Sequence, residues 1–114
     1  MTDLQASLRE FLEQHDTMTL ATIGPDREPR AAAVFYAVGE ELVLYFLSNP
    51  ASRHSENLAR DSRVAATIQR DGQPWQEIRG LQIEGTAQLV TDEREIGQAA
   101  RVFAARFAFL QGLL

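Results

Sequence analysis

Apolar residues recur three and four positions apart between Asp3 and Gln14, at Leu4, Leu8, Phe11 and Leu12, which predicts an opening amphipathic helix whose stripe is core. The period then drops to two. Thr17-Met18-Thr19-Leu20-Ala21-Thr22-Ile23 alternates hydroxyl-bearing with apolar residues, the pattern of a half-buried strand, and Gly24-Pro25-Asp26 ends it in a turn. A second strand is expected after Pro29, from Arg30 to Val38, then a turn at Gly39-Glu40 and a third strand from Glu41 to Leu47. Three strands joined by short turns predict an antiparallel meander. Ala31, Ala32 and Ala33 are poor strand formers, so either something packs closely over that backbone or the segment is helical.

A short helix is expected from Pro50 to Arg60, then a strand from Arg63 to Gln69, a turn at Asp71-Gly72-Gln73-Pro74 and a long strand from about Gln76 to Val90, interrupted by Gly80 and Gly85. Thr91 is read as the cap of a last helix with Asp92 and Glu93 in its first turn and Ile96, Ala100, Phe103 and Phe107 on its apolar face. The fold class is therefore mainly β with flanking helices. A chain of 114 residues suffices for one domain with a hydrophobic core, and residues 1–114 are read as a single domain.

Composition narrows the chemistry. Without cysteine there is no disulfide, thiolate metal site or thiol nucleophile. His15 and His54 stand in no metal-ligand spacing, so no metal is expected. The net charge of −5 argues against nucleic-acid or anionic-membrane partners. The acidic N-terminus and the absence of a long apolar run predict a cytoplasmic protein. All eleven basic residues are arginines, which removes lysine Schiff-base chemistry and leaves arginine and histidine as the cations for an anionic ligand. No Ser-His-Asp order, carboxylate pair or Gly-rich phosphate loop stands out, so no catalytic residue is assigned.

The candidate chemistry lies in Ser52-Arg53-His54-Ser55-Glu56-Asn57-Leu58, which follows the apolar stretch Leu42 to Leu47. A helix start with an arginine, an imidazole and hydroxyls nearby is where a phosphate binds, because unpaired N–H groups and a partial positive charge meet there. Asn49-Pro50 is equally an ordinary helix start, and Arg53 equally a solvated residue. Trp75 reads either as a stacking platform or as local packing in its turn, and His15 as an exposed helix-end residue. Phe103, Arg106 and Phe107 either border a substrate cavity or, for the two phenylalanines, belong to the core.

The order and spacing of Leu20-Ala21-Thr22 with Gly24 and Pro29, Leu44-Tyr45-Phe46, Ser52-Arg53-His54-x-x-Asn57-Leu58, Asp61-Ser62-Arg63-Val64 and Ile83-Glu84-Gly85-Thr86-Ala87 resemble the FMN-binding split-barrel superfamily typified by pyridoxamine 5′-phosphate oxidase. The resemblance covers residues 17 to 107 and implies an antiparallel split β-barrel of about six strands. It also implies a homodimer with FMN at its interface. By position it gives Arg53 and His54, with Ser52 at the helix start, the phosphate, and gives Leu47 and Ser48 the end of the third strand, where a hydroxyl reaches phosphate or ribityl chain. Ala32, Ala33, Val34 and Phe35 match the strand facing the flavin ring, and Gly80 with Leu81 match another ring contact.

The chain departs from the family pattern in three places. His54 stands where lysine is common, so one of the two cations is pH-sensitive. Ala32 and Ala37 replace cationic residues of the vitamin-processing enzyme, which argues against that substrate. No final strand is expected between the last helix and Leu114. The implied activity is an FMN-dependent oxidoreductase acting with a nicotinamide or another small substrate. The alternatives are a flavin-binding or sensing protein without turnover, or a relative carrying deazaflavin F420 or haem on the same barrel.

Overall fold

The structure, a computed structural model, describes residues 2–107, so the expectation about a final strand falls outside the described residues. In chain order its elements are α1 (Asp3–Glu13), β1 (Thr17–Ile23), β2 (Pro29–Phe35), β3 (Ala37–Val38), β4 (Leu44–Tyr45), α2 (Arg53–Arg60), β5 (Arg63–Gln69), β6 (Gly80–Thr86) and α3 (Glu93–Arg106). Single 3₁₀ turns occupy Glu40–Leu42 and Trp75–Glu77. This is the mainly antiparallel class, with three helices and six strands among the described residues, that the alternation predicts. The chain divides into two compact units, one of residues 2–16, 36–46 and 89–107, the other of residues 17–35 and 47–88.

The second unit holds a four-stranded antiparallel sheet in the order β2-β1-β5-β6. The register sets Leu20 between Ala32 and Ala66, and Ala66 beside Ile83, so one face carries Val34, Met18, Leu20, Ala66 and Ile68, all buried. The opposite face exposes the small and polar residues Thr17, Thr19, Ala31, Ala33 and Ala65 together with Phe35. α2 lies against β1 and β2, joined to them by Asn57 Nδ2, which donates to Thr22 Oγ1 at 3.0 Å with both residues buried.

The expected three-strand meander keeps its antiparallel order, but it is broken at Tyr36 and its bounds are corrected. β1 and β2 form a hairpin, but the second strand ends at Phe35 rather than Val38. The predicted third strand, Glu41 to Leu47, shrinks to Leu44–Tyr45 and pairs with β3 instead. The predicted long strand from Gln76 to Val90 is a 3₁₀ turn followed by Gly80–Thr86. Gln73 explains the delay: its side chain donates to the carbonyls of Arg70 (2.6 Å) and Arg79 (3.1 Å) and accepts from Arg79 N–H (2.8 Å), clasping the loop before β6 can begin.

The first unit contains α1, the β3–β4 ribbon and α3. Thr2 and Gln5 cap α1 reciprocally, the threonine hydroxyl accepting from Gln5 N–H at 3.1 Å and the glutamine carbonyl from Thr2 N–H at 2.9 Å. The cap of α3 is Asp92 rather than Thr91: its carboxylate accepts from Glu95 N–H at 3.0 Å and, unlike a hydroxyl, brings a full charge to the positive end of the helix. The core of this unit gathers Ala37, Phe103 and Phe107 with Tyr45, Phe46 and Val102 around them, so the two phenylalanines are core. Arg106 fastens α3 to the end of α1, donating to the carbonyls of Glu13 and His15 and pairing with Asp16 at 3.1 Å. His15 packs its ring on Phe11, centroids 4.6 Å apart.

Tyr36 marks the point where the extended chain passes into this unit. Its ring is fully buried and its hydroxyl donates to the Leu12 carbonyl at 2.6 Å. Burial pushes the phenol up to about 12 from its ordinary value of 10. Because the folded chain holds that proton more tightly than the unfolded one, the associated stability is complete below pH 10 and is lost as the pH rises toward 12. Tyr36→Phe should cost about 1–3 kcal/mol at neutral pH, since Leu12 O keeps its burial and loses its donor. It should also flatten the alkaline fall in stability, a contrast that urea midpoints at pH 8 and pH 11 will measure.

Candidate anion-binding site

The start of α2 is decided by a competition between two caps. Asn49 is consumed locally, its side-chain oxygen accepting from Ala51 N–H at 2.9 Å, and Ser52 takes the N-cap, accepting from Ser55 N–H at 3.3 Å. The helix therefore begins at Arg53, three residues later than Pro50, and its first turn comes next to Ser48. Ser48 lies in the loop after β4, because the strand it was expected to end stops at Tyr45.

Ser48 Oγ is the centre of the cluster. It lies 3.0 Å from Ser52 Oγ, 2.8 Å from Ser55 Oγ and 2.5 Å from His54 Nε2, while Ser52 Oγ donates to Ser55 Oγ at 3.0 Å. The Asn49 carbonyl lies a further 3.4 Å away, so four neighbours compete for the single donor and two lone pairs of the Ser48 hydroxyl. The arrangement collects three rotatable O–H groups and an imidazole nitrogen at a helix N-terminus, all able to turn toward an oxyanion. Arg53 is exposed and its side chain has neither a hydrogen bond nor an ion pair among the described residues.

Of the residues singled out from sequence, Ser48, Ser52 and His54 are brought into mutual hydrogen bonding, and Arg53 leads the same helix turn. Leu47 adjoins Ser48 and is 54% exposed. Ala32, Ala33, Val34 and Phe35 lie on β2, the edge strand against which α2 packs. Val34 points into the core, while Ala33 and Phe35 are exposed. Leu81 lies on β6 at the opposite edge, paired with Ile68. Trp75 is 78% exposed in its turn, so it is not packed locally.

Two contributors were missed. Ser55 joins the cluster because the third helical residue faces back to the N-cap, a spacing visible in Ser52-x-x-Ser55. Asn57 anchors the helix to Thr22 and accepts from Arg60 at 2.6 Å; a pairing across 35 residues leaves no local trace. Just past the helix Arg63 donates to Asp61 and holds its carboxyl near 2, well below the usual carboxylate range. Among the described residues no group of three or more His, Asp or Glu side chains is placed to hold a metal ion. No described helix is long and apolar enough to cross a membrane.

A UPF0306 protein of Yersinia pseudotuberculosis is 30% identical over 95 residues, which are 82% of this chain and 63% of that protein. A crystal structure of a conserved hypothetical protein of Mycobacterium tuberculosis matches 94% of this chain and 64% of its own, with 31% identity and a TM-score of 0.79. The chain thus spans somewhat less than two thirds of the length of either. HutZ of Vibrio cholerae, described as a haem storage protein, matches at 21% identity and a TM-score of 0.80, covering 98% of this chain and 82% of its own. The pyridoxamine 5′-phosphate oxidase family matches residues 4–111. With its antiparallel strands, its capped helix and this match over nearly its whole length, the chain belongs to the pyridoxamine 5′-phosphate oxidase family and has that family's split-barrel fold.

Proposed function

We propose that this chain is an FMN-binding flavoprotein acting as an oxidoreductase, with a nicotinamide or another small molecule as its redox partner, and that it works as a homodimer with the cofactor at the subunit interface. The observation that carries this reading is the Ser48, Ser52, His54 and Ser55 cluster at the start of α2, with the unpartnered Arg53 beside it.

The residues present fit the group. A phosphomonoester needs several donors and positive charge at one point, and a helix start with three hydroxyls, an imidazole and a guanidinium supplies both. A flat ring needs close approach to backbone, and the alanines of the edge strand β2 leave that backbone uncovered by bulk. Leu81 is separated from β2 by three strand spacings, about 14 Å of sheet. A site that uses both draws on two copies of the chain, which supports the dimer.

The chemistry that FMN supplies when bound is hydride acceptance and release on its ring. The chain's own part is to grip the phosphate through Arg53 and the hydroxyls, to hold β2 flat through the β1 ladder, and to fix the helix start through Asn57 and Thr22.

An absorbance titration with FMN tests the reading. The protein should bind saturably, and Arg53→Ala should bind on the order of tens-fold more weakly, one charge-assisted bond being worth about 1.5–3 kcal/mol. Since Arg53 is exposed, the variant keeps its fold. Equal affinity in the two proteins would remove Arg53 from the site, and no binding to either would reject FMN. Bleaching of the bound flavin by NAD(P)H separates an oxidoreductase from a flavin-binding protein without turnover.

A further inference from the structure

Away from α2, one hollow in the first unit combines volume with charges of both signs. It is a cleft of about 180 Å³ lined by Gly39, Glu40, Tyr45, Gln98, Arg101 and Val102. Its floor is firmly held. Arg9 donates to the Gly39 carbonyl at 2.7 Å, Gly39 N–H donates to the Val43 carbonyl at 2.7 Å, and a Cβ at position 39 would lie 2.5 Å from the Tyr45 ring. Only glycine lets that ring form the wall.

The lining carries charges of both signs, Glu40 and Arg101. The Tyr45 hydroxyl donates to Glu95 at 2.9 Å; burial first, then Glu95 and the nearby Glu40, push this phenol above its ordinary range. Both carboxylates therefore act on the same region. Gln98 and Arg101, one turn apart on α3, share a helix face and both line the cleft. Neither the Glu40 nor the Arg101 side chain has a hydrogen bond or an ion pair among the described residues, although both line one small cleft. Glu40 is presented by a turn in which Glu41 (φ 57°) and Leu42 (φ 61°) are left-handed, a conformation that residues with a Cβ resist.

We propose that this cleft binds a small zwitterion of the α-amino acid class, its carboxylate on Arg101 and Gln98 and its ammonium toward Glu40. A guanidinium matches a carboxylate in two parallel bonds, and a single carboxylate matches an ammonium. A cleft of about 180 Å³ suits a small ligand, and glycine and alanine are the smallest members of the class. This inference stands apart from the flavin reading, since it uses none of the residues of the α2 site.

Calorimetric titration of the full chain with glycine and L-alanine tests it, with glycinamide and N-acetylglycine as probes lacking one charge each. Saturable binding at about millimolar concentration is expected, weakened at least about tenfold for either blocked probe. Arg101→Gln should make glycine and glycinamide bind alike, and Glu40→Gln should do the same for glycine and N-acetylglycine. Both side chains are on the surface, so the variants fold, and the blocked probes test the same charges on the unaltered protein. The absence of saturable heat with either amino acid, or equal binding of the blocked probes by the unaltered protein, would overturn the proposal.

Discussion

Riboflavin should bind this protein about a hundredfold to ten-thousandfold more weakly than FMN. The two ligands share the ring and the ribityl chain and differ only in the phosphate, so their ratio isolates what the start of α2 contributes. Arg53, His54 and the hydroxyls of Ser48, Ser52 and Ser55 offer at least two charge-assisted bonds to a phosphate. Each is worth about 1.5–3 kcal/mol, and 1.4 kcal/mol corresponds to a factor of ten. Raising the salt should narrow the ratio, because the exposed Arg53 is screened. Equal affinities, measured by flavin fluorescence quenching at one ionic strength, would mean that the α2 cluster does not hold the phosphate. The same titration on Ser48→Ala separates the hydroxyl contribution from that of the cations.

Phe103→Ala should destabilise the chain by about 3–5 kcal/mol, a drop of roughly 10–20 °C in the unfolding midpoint. Phe103 is 2% exposed, packs with Ala37, Tyr45, Phe46 and Val102, and meets the Phe107 ring at a centroid distance of 5.5 Å. Its removal leaves a void that a ribbon of two short strands cannot collapse to fill. Phe103→Leu, which keeps most of the volume, should recover more than half of the loss. Thermal unfolding followed by circular dichroism decides it. A loss below 1 kcal/mol for alanine would show that this cluster does not support the fold.

Part of the candidate site was legible in the sequence. Hydroxyls, an imidazole and an arginine around a helix start are local features, and Ser48, Ser52 and His54 do converge. The order of elements and the family likeness were legible on the same ground, since each motif spans only a few residues. Less legible was the point where α2 starts. Asn49 and Ser52 are both good caps, and the choice went to Ser52 because Asn49 closed a tighter turn on Ala51. The same limit hid Asn57, whose partner Thr22 lies in another strand.

The sequence by itself determined β1 and β5 to the residue, because side-chain alternation is a property of consecutive residues. It likewise determined the bounds of α1 to within a residue and the burial of Phe103 on α3, whereas Leu4 and Ile96 of the two predicted apolar stripes are exposed. Only the tertiary structure decided that β1 pairs with β5 as well as β2, that the extended chain breaks at Tyr36, and that Leu81 and the alanines of β2 lie on opposite edges of one sheet. Strand partners are chosen by burial and ladder hydrogen bonds between segments far apart in sequence, as with Thr19 and Thr67. The Tyr36 break is set by a ring whose hydroxyl finds the Leu12 carbonyl only after the chain has folded. Local periodicity carries the conformation of a segment, whereas the free energy that chooses its neighbours comes from contacts that do not exist until the segments meet.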